Sequence, residues 1–346
     1  MRALVILEGH TTAVKEVPTP KPDAGEILVK VVAVAQNPTD WKHVEMVTDA
    51  GVIVGCDFAG DVVQLTEGVK GWKVGDRVSG FVHGSQYHDR GSFAEYLKVD
   101  HELAWHIPDG VSYEEAATAN VGFFTAVQTL FHPKNLGLVG YPDKVPAENA
   151  SWVLVFSGAT SVGLYAIQLL HIVGYRVVTT TSAKNFELVK SLGADVAVDY
   201  RDADVSKKIQ DATGNTLSFA LDTIATAETQ EASVKAFGPG PAKLITIQPV
   251  QDSAKAVRDD VEFKATLLYT AAGRAFKTSF GWELPAIPED RQQVAEWLPK
   301  ITELFQHGKV KPNPVKFWPG GLDAIKDGFE YMKSGKLSAE KIVYRI

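Results

Sequence analysis

Up to about residue 120, apolar positions fall in short runs cut by glycine. Ile27–Ala35 (ILVKVVAVA), Asp61–Leu65 and Arg77–Val82 are such runs, separated or bent by Gly55, Gly60, Gly71, Gly75, Gly80 and Gly84. Runs of this length bounded by turn residues read as strands. With no helical spacing between them, they predict a compact, barrel-like β domain. His132 to Ser151 contains Pro and Asn and reads as a surface loop. From Trp152 the rhythm changes. Val153–Phe156 has strand length, and Leu164–Val173 is almost wholly apolar and stops at Gly174, as a buried helix does. Arg176–Thr181 predicts a strand, Asn185–Leu192 a helix ending at Gly193, Val196–Asp199 a strand, Val205–Ala212 a helix, and Ser218–Asp222 and Lys243–Ile247 two more strands. This alternation implies right-handed βαβ units and a parallel sheet, an α/β architecture. The last stretch, Pro288 to Ile346, predicts two helices and a strand at Ile342–Tyr344 that return to the first domain.

Composition narrows the function classes. A chain of 346 residues suggests about two domains, and 45% hydrophobic with 22% charged residues is the balance of an ordinary globular protein. The net charge of −7 offers no basic face for a nucleic-acid backbone. The single Cys56 allows no intramolecular disulfide and no Cys-rich zinc lobe. No apolar run is long enough to span a bilayer, and Glu8 interrupts the apolar start, so neither membrane nor secretory signal is expected. The expected location is the cytoplasm.

The segment Val153-Leu154-Val155-Phe156-Ser157-Gly158-Ala159-Thr160-Ser161-Val162-Gly163 leaves a buried strand, turns through small residues and opens an apolar helix. That is the context of a dinucleotide fingerprint. Gly158, Ala159, Thr160, Ser161, Val162 and Gly163 are therefore candidate cofactor residues. Small side chains let backbone approach a diphosphate, and the helix start supplies N–H groups and a favourable dipole. A strict G-x-G-x-x-G is absent, since Ser157 and Thr160 stand where glycine often sits.

The second strand ends in Thr179-Thr180-Thr181-Ser182-Ala183-Lys184-Asn185. An NAD site usually carries Asp or Glu there to hold the ribose 2′-hydroxyl. No carboxylate is present. Ser182 and Lys184, with Asn185 beside them, suit a 2′-phosphate, and Tyr200 after the third strand could cover the adenine. The expected cofactor is NADPH.

Taken together with Asn37-Pro38-Thr39-Asp40, Gly55-Cys56-Asp57-Phe58-Ala59-Gly60, Val74-Gly75-Asp76-Arg77-Val78 and Gly91-Ser92-Phe93-Ala94-Glu95-Tyr96, these residues make the whole chain resemble the medium-chain dehydrogenase/reductase superfamily. Asn37 to Lys42, Ser182 to Phe186, Asp199-Tyr200-Arg201 and Gly335-Lys336-Leu337-Ser338 resemble its zinc-free fungal trans-acting enoyl reductases, and quinone and alkenal reductases share many of them. The resemblance implies a GroES-like β-barrel substrate domain over residues 1–122 and 286–346 and a Rossmann-type NADPH domain over 123–285.

It also implies the site. Zinc-dependent relatives carry Cys where Asn37 stands, His where Cys56 stands, and a third Cys around Asn120 or Val121. Asn is a poor zinc ligand, so no metal is expected. Cys56 is then a buried small residue, and His83, His88, His101 and His106 are expected as solvated loop histidines. Lys42 and Thr125 match positions at the cofactor–substrate junction and are the catalytic candidates. Thr39 and Asp40, Ile247 and Gln248 after a strand, and Leu337 and Ser338 near the C-terminus are the further cofactor candidates. The implied activity is NADPH-dependent, metal-free reduction of an activated C=C bond, on a small-molecule or carrier-bound enoyl thioester with a polyketide synthase partner. A stand-alone quinone or alkenal reductase and a non-catalytic NADPH-binding protein remain alternatives, as do monomer and homodimer.

Overall fold

The glycine-cut apolar runs form strands whose apolar faces are buried. The structure, a computed structural model, describes residues 1–278 and 281–346. The opening strands are β1 (Arg2–Leu7), β2 (Thr11–Glu16) and β3 (Glu26–Ala35). A helix then intervenes, α1 (Pro38–Met46), which corrects the expectation of a first domain free of helices between its strands. The start signal is local. Asn37 is the N-cap, Pro38 occupies the first turn, and the Asp40 carboxylate accepts the Asn37 N–H at 2.6 Å. The chain continues through β4 (Asp57–Leu65), β5 (Arg77–Phe81), β6 (Tyr96–Asp100), β7 (Ala104–His106) and the short α2 (Tyr113–Ala117).

Helix α3 (Asn120–Phe131) leads into the alternating half: β8 (Trp152–Phe156), α4 (Ser161–Val173), β9 (Arg176–Thr181), α5 (Phe186–Ser191), β10 (Val196–Asp199), α6 (Val205–Ala212), β11 (Phe219–Asp222), α7 (Ala227–Ala236), β12 (Ala242–Thr246), α8 (Asp252–Lys255) and β13 (Val261–Ala265). The hairpin β14 (Phe276–Lys277) and β15 (Glu283–Leu284) precedes α9 (Pro288–Gln306), β16 (Val315–Phe317), α10 (Ile325–Lys333) and β17 (Lys341–Arg345).

The central strands of the alternating half lie parallel in the order β10-β9-β8-β11-β12-β13, the doubly wound arrangement of a dinucleotide-binding fold. β8 is fully buried, which is why its sequence is a continuous apolar run. β13 is an additional strand at the sheet edge. Its alternation of Glu262 and Lys264 with apolar residues reads less plainly as a strand. The other sheet runs β16-β17-β3-β4-β5-β7, antiparallel apart from the β16–β17 pair, with β6 also pairing β3. β17 inserts beside β3, so the C-terminal strand completes the sheet begun at the N-terminus.

The chain divides into two compact units, Met1–Val121 with Tyr269–Ile346, and Gly122–Leu268. The return to the first unit comes earlier than the 285/286 boundary drawn from sequence. Tyr269 is already hydrogen-bonded to Thr39 and Cys56 of the first unit. No helix among the described residues is long and apolar enough to cross a membrane.

Candidate functional site

In the unit Gly122–Leu268, β8 delivers the chain to a tight turn and α4. Ser157 adopts a left-handed φ of 64°, the conformation glycine would take without strain, at a cost of about 1–2 kcal/mol. Its N–H donates to Thr180 Oγ1 at 2.9 Å, and the Gly158 N–H donates to the Thr180 carbonyl at 2.9 Å, so β9 holds the turn. Thr160 is the N-cap of α4 and accepts the Gly163 N–H at 3.0 Å. Its hydroxyl donates to Thr223 Oγ1 at 2.8 Å. This explains the departure from a strict glycine pattern: a threonine caps the helix where a third glycine would have left the cap empty.

The two remaining glycines are required by space. A Cβ on Gly158 would lie 2.1 Å from Thr179 Oγ1, and one on Gly163 would lie 2.7 Å from Gly158 Cα and from the Ser157 carbonyl oxygen. The opening turn of α4 is therefore pressed onto the loop, the geometry that brings a helix start to a diphosphate.

The end of β9 has no carboxylate of its own, and Ser182 and Asn185 meet there, Asn185 Nδ2 donating to Ser182 Oγ at 3.3 Å. Lys184 is exposed and makes no ion pair among the described residues. Tyr200 is half exposed. Sequence reasoning passed over the pair beside them. Asp199, at the end of β10, faces Thr181 in register and also accepts from the Ala183 backbone. Arg201 holds it in a two-pronged contact, at 2.9 Å and 2.5 Å. The guanidinium keeps the Asp199 carboxyl well below the usual carboxylate range, the hydrogen bond from Arg201 being the largest cause. The signal was the D-Y-R triplet at the end of β10, which the sequence reading used only as a point of resemblance. Thr125, in α3 of the same unit, is buried at 7% exposure. Ile247 and Gln248 follow β12, where Thr246 Oγ1 donates to the Gln248 carbonyl at 2.7 Å.

The other unit gathers a different cluster. α1 places Thr39, Lys42 and His43 one turn apart or less. Thr39 Oγ1 lies 2.9 Å from the Tyr269 hydroxyl and 3.3 Å from His43 Nε2, and the same Tyr269 hydroxyl lies 3.4 Å from Cys56 Sγ. His83 stacks on Tyr269 with centroids 3.8 Å apart and planes 5° from parallel, and Phe276 meets His83 edge-on at 4.9 Å. His83 is thus a packed residue, which corrects its expected place among solvated loop histidines. A small pocket of about 40 Å³ is lined by Phe81, His83, Tyr87 and Tyr269 together with Arg90 and Arg274.

Burial keeps this cluster uncharged. It lowers the pKa of His43 to about 4 and that of His83 well below the usual range. It raises the Tyr269 hydroxyl and the Cys56 thiol well above theirs. Lys42 is half-buried, its Nζ 5.7 Å from the Trp41 ring centroid. Asp40 is 1% exposed and spent on the helix cap, and burial raises its carboxyl to about 7. Leu337 and Ser338 are half-buried in the loop before β17.

Residues 23–109 match the alcohol dehydrogenase GroES-like domain, and residues 161–298 match the zinc-binding dehydrogenase domain. These matches, with the parallel sheet and its small-residue loop, define a medium-chain dehydrogenase/reductase. The trans-enoyl reductase RAP1 of Pyricularia oryzae is 38% identical over 95% of this chain and 92% of its own. The trans-enoyl reductase ccsC of Aspergillus clavatus is 37% identical over 99% and 96%. Among solved structures, the CurK enoyl reductase superposes with a TM-score of 0.80 at 22% identity, covering 99% of this chain and 98% of that one. A quinone oxidoreductase from Pseudomonas syringae pv. Tomato gives 0.79 at 18%, covering 100% and 99%. Likeness at that level shows the shared fold. The chain belongs to the trans-enoyl reductase family of medium-chain dehydrogenases/reductases, and it is a nicotinamide-dependent oxidoreductase.

The second domain description implies zinc, and the residues at the corresponding positions do not fit it. Asn37 Oδ1 accepts from Lys341 Nζ at 2.8 Å while its Nδ2 donates to Asp57 Oδ2 at 2.9 Å, so both side-chain atoms are taken. The Cys56 thiol is held protonated by burial and faces the Tyr269 hydroxyl. The Asn120 amide is engaged with Trp105, Ser79 and the Phe58 carbonyl. No group of three or more metal-binding side chains occurs among the described residues. A buried ammonium, Lys341, already fills the neighbourhood of Asn37. The nicotinamide cofactor is a different case: the loop, its two space-limited glycines and the capped helix fit a dinucleotide.

Proposed function

We propose that the protein is an NADPH-dependent, metal-free enoyl reductase acting on α,β-unsaturated thioesters delivered by a polyketide synthase carrier domain. The observation that carries the cofactor choice is the cation-flanked end of β9, with Ser182, Lys184 and Arg201 and with its nearest carboxylate, Asp199, neutralised by Arg201. A free carboxylate there would repel a 2′-phosphate. The substrate class is supported by the relatives named trans-enoyl reductase across most of the chain.

In this reading, Gly158 to Gly163 hold the diphosphate against the start of α4, and Ser182, Lys184, Asn185 and Arg201 hold the 2′-phosphate while Tyr200 covers the adenine. Thr39, Ile247, Gln248, Leu337 and Ser338 take the nicotinamide half. The bound cofactor supplies a hydride for the β-carbon. Lys42 and Thr125 donate hydrogen bonds to the substrate carbonyl oxygen as it gains charge, a contribution of about 10²- to 10³-fold per donor at such sites.

The test is NADPH consumption by the purified protein with a crotonyl thioester, a quinone and a saturated ketone in parallel. Turnover confined to the thioester is expected. Preference for the quinone would favour a stand-alone quinone reductase, and cofactor binding without any turnover would favour a non-catalytic role. Carrier-domain attachment of the thioester should lower KM if a synthase partner is the natural donor.

A further inference from the structure

Reduction of a C=C bond needs a proton at the α-carbon as well as a hydride at the β-carbon. We propose that the Tyr269 hydroxyl is the acid that delivers this proton, oriented by Thr39 and resupplied through His43; the assignment rests on the enoyl-reductase reading above.

The geometry is a continuous hydrogen-bonded series within one unit. Cys56 Sγ, the Tyr269 hydroxyl, Thr39 Oγ1 and His43 Nε2 follow one another at 3.4, 2.9 and 3.3 Å. His43 Nδ1, at the far end, is buried beside the Gly84 backbone. Of this cluster, only Tyr269 and His83 line the pocket. A neutral imidazole N–H is a much weaker acid than a phenol, and burial keeps His83 neutral. Of the other acids nearby, Lys341 is held by Asp57 and Asn37, and Asp40, which spends one oxygen on the helix cap, does not line the pocket. His83 stacked on the phenol ring fixes its orientation.

The step balances as follows. A bound reduced nicotinamide would supply the hydride for the β-carbon, and the substrate would then be an enolate awaiting a proton at the α-carbon. The Tyr269 O–H bond breaks, its proton forms the α-carbon C–H bond, and the electron pair stays on the phenolate. A buried phenolate is costly, so it recovers a proton from Thr39, which takes the Nε2 proton of His43; the buried Nδ1 regains one from water admitted as product leaves. The net consumption is one hydride and one solvent proton.

The experiment uses a 2-methylcrotonyl thioester with NADPH in deuterated water, since protonation then creates a stereocentre. Wild type should give one enantiomer carrying α-deuterium. Tyr269→Phe should slow the single turnover by about 10²-fold, within the range for general acids, and give nearly equal enantiomers, with NADPH affinity by titration unchanged. His43→Phe should leave the first turnover and its enantiomer unaltered while lowering the steady-state rate, which separates proton resupply from a packing defect. Tyr269→Phe with a wild-type rate and a single enantiomer, or His43→Phe with a wild-type steady state, would overturn the assignment alone. A wild type that leaves the thioester unreduced would overturn both the assignment and the enoyl-reductase reading.

Discussion

Lys341 Nζ lies 2.6 Å from Asp57 Oδ2, with the two side chains 2% and 0% exposed. Asn37 completes a triangle with both groups, and the second Asp57 oxygen accepts the Val121 N–H at 2.8 Å. The pair joins the last strand of the chain to β4 in the interior of a sheet that both elements help to build. Desolvating two charges is expensive, and only this full set of hydrogen bonds offsets it.

Removing the cation alone should therefore be severe. Lys341→Met leaves Asp57 buried without a counter-charge and should cost about 3–5 kcal/mol in urea unfolding. Lys341→Met with Asp57→Asn keeps an acceptor for Val121 and removes the stranded charge. It should recover at least half of that loss. Additive costs in the double mutant would show that the pair is not coupled.

Asp40 and His43 make opposing contributions to stability with pH. The folded Asp40 carboxyl titrates near 7, raised by burial and by Asp57, with Asn37, Cys56 and Lys341 pulling the other way. Between the usual carboxylate range and about 7, the folded chain holds a proton the unfolded chain has lost, so this part of stability falls as pH rises. His43, lowered to about 4, behaves inversely: between its ordinary value and about 4 the unfolded chain takes a proton the folded chain refuses, so stability falls as pH drops. Asp40→Asn keeps an acceptor for the Asn37 N–H and deletes the first effect. Relative to wild type, it should gain roughly 3–4 kcal/mol between about pH 4 and about pH 8. Parallel urea curves at both pH values would contradict the burial of a titrating carboxyl.

Cofactor choice should turn on the end of β9 and its neighbour. Lys184→Ala should weaken NADPH binding by roughly 10-fold, the low end for a charge-assisted hydrogen bond at an exposed site, and leave NADH nearly unchanged. Arg201→Ala should act more strongly on the ratio, because it also frees the Asp199 carboxylate to repel the 2′-phosphate and to bond a ribose hydroxyl. Fluorescence titration of both cofactors into both variants measures this. An unaltered NADPH-to-NADH ratio in both would remove the phosphate site from the end of β9.

The loop glycines predict a steric effect. Gly163→Ala brings a Cβ against backbone atoms of Gly158 and Ser157, which cannot swing aside as a side chain could. Thermal unfolding should report a loss of about 1–3 kcal/mol, the usual range for overpacking, and NADPH affinity should fall by at least about tenfold as α4 is pushed from the loop. Wild-type affinity in this variant would mean that the helix start does not seat the diphosphate.

Much of the nucleotide unit was legible along the chain because its signals are local. Strand runs, the helix stops at Gly174 and Gly193, and the small-residue turn from Ser157 to Gly163 depend on neighbours within a few positions, and the parallel sheet follows from their alternation. Even the overlooked helix α1 was written in Asn37-Pro38-Thr39-Asp40, as a cap followed by proline. The groups that set charge and proton supply were different. Tyr269 reaches Thr39 across 230 positions, and Lys341 reaches Asp57 across 284. His83 looked like a loop histidine until Tyr269 was stacked on it. Periodicity records which face of an element is buried, whereas the partner waiting on the other side of that face is chosen by packing between distant segments. The protonation states of Asp40, His43, Cys56 and Tyr269 follow from that packing, because burial and the partner, rather than residue type, decide which form the interior can hold.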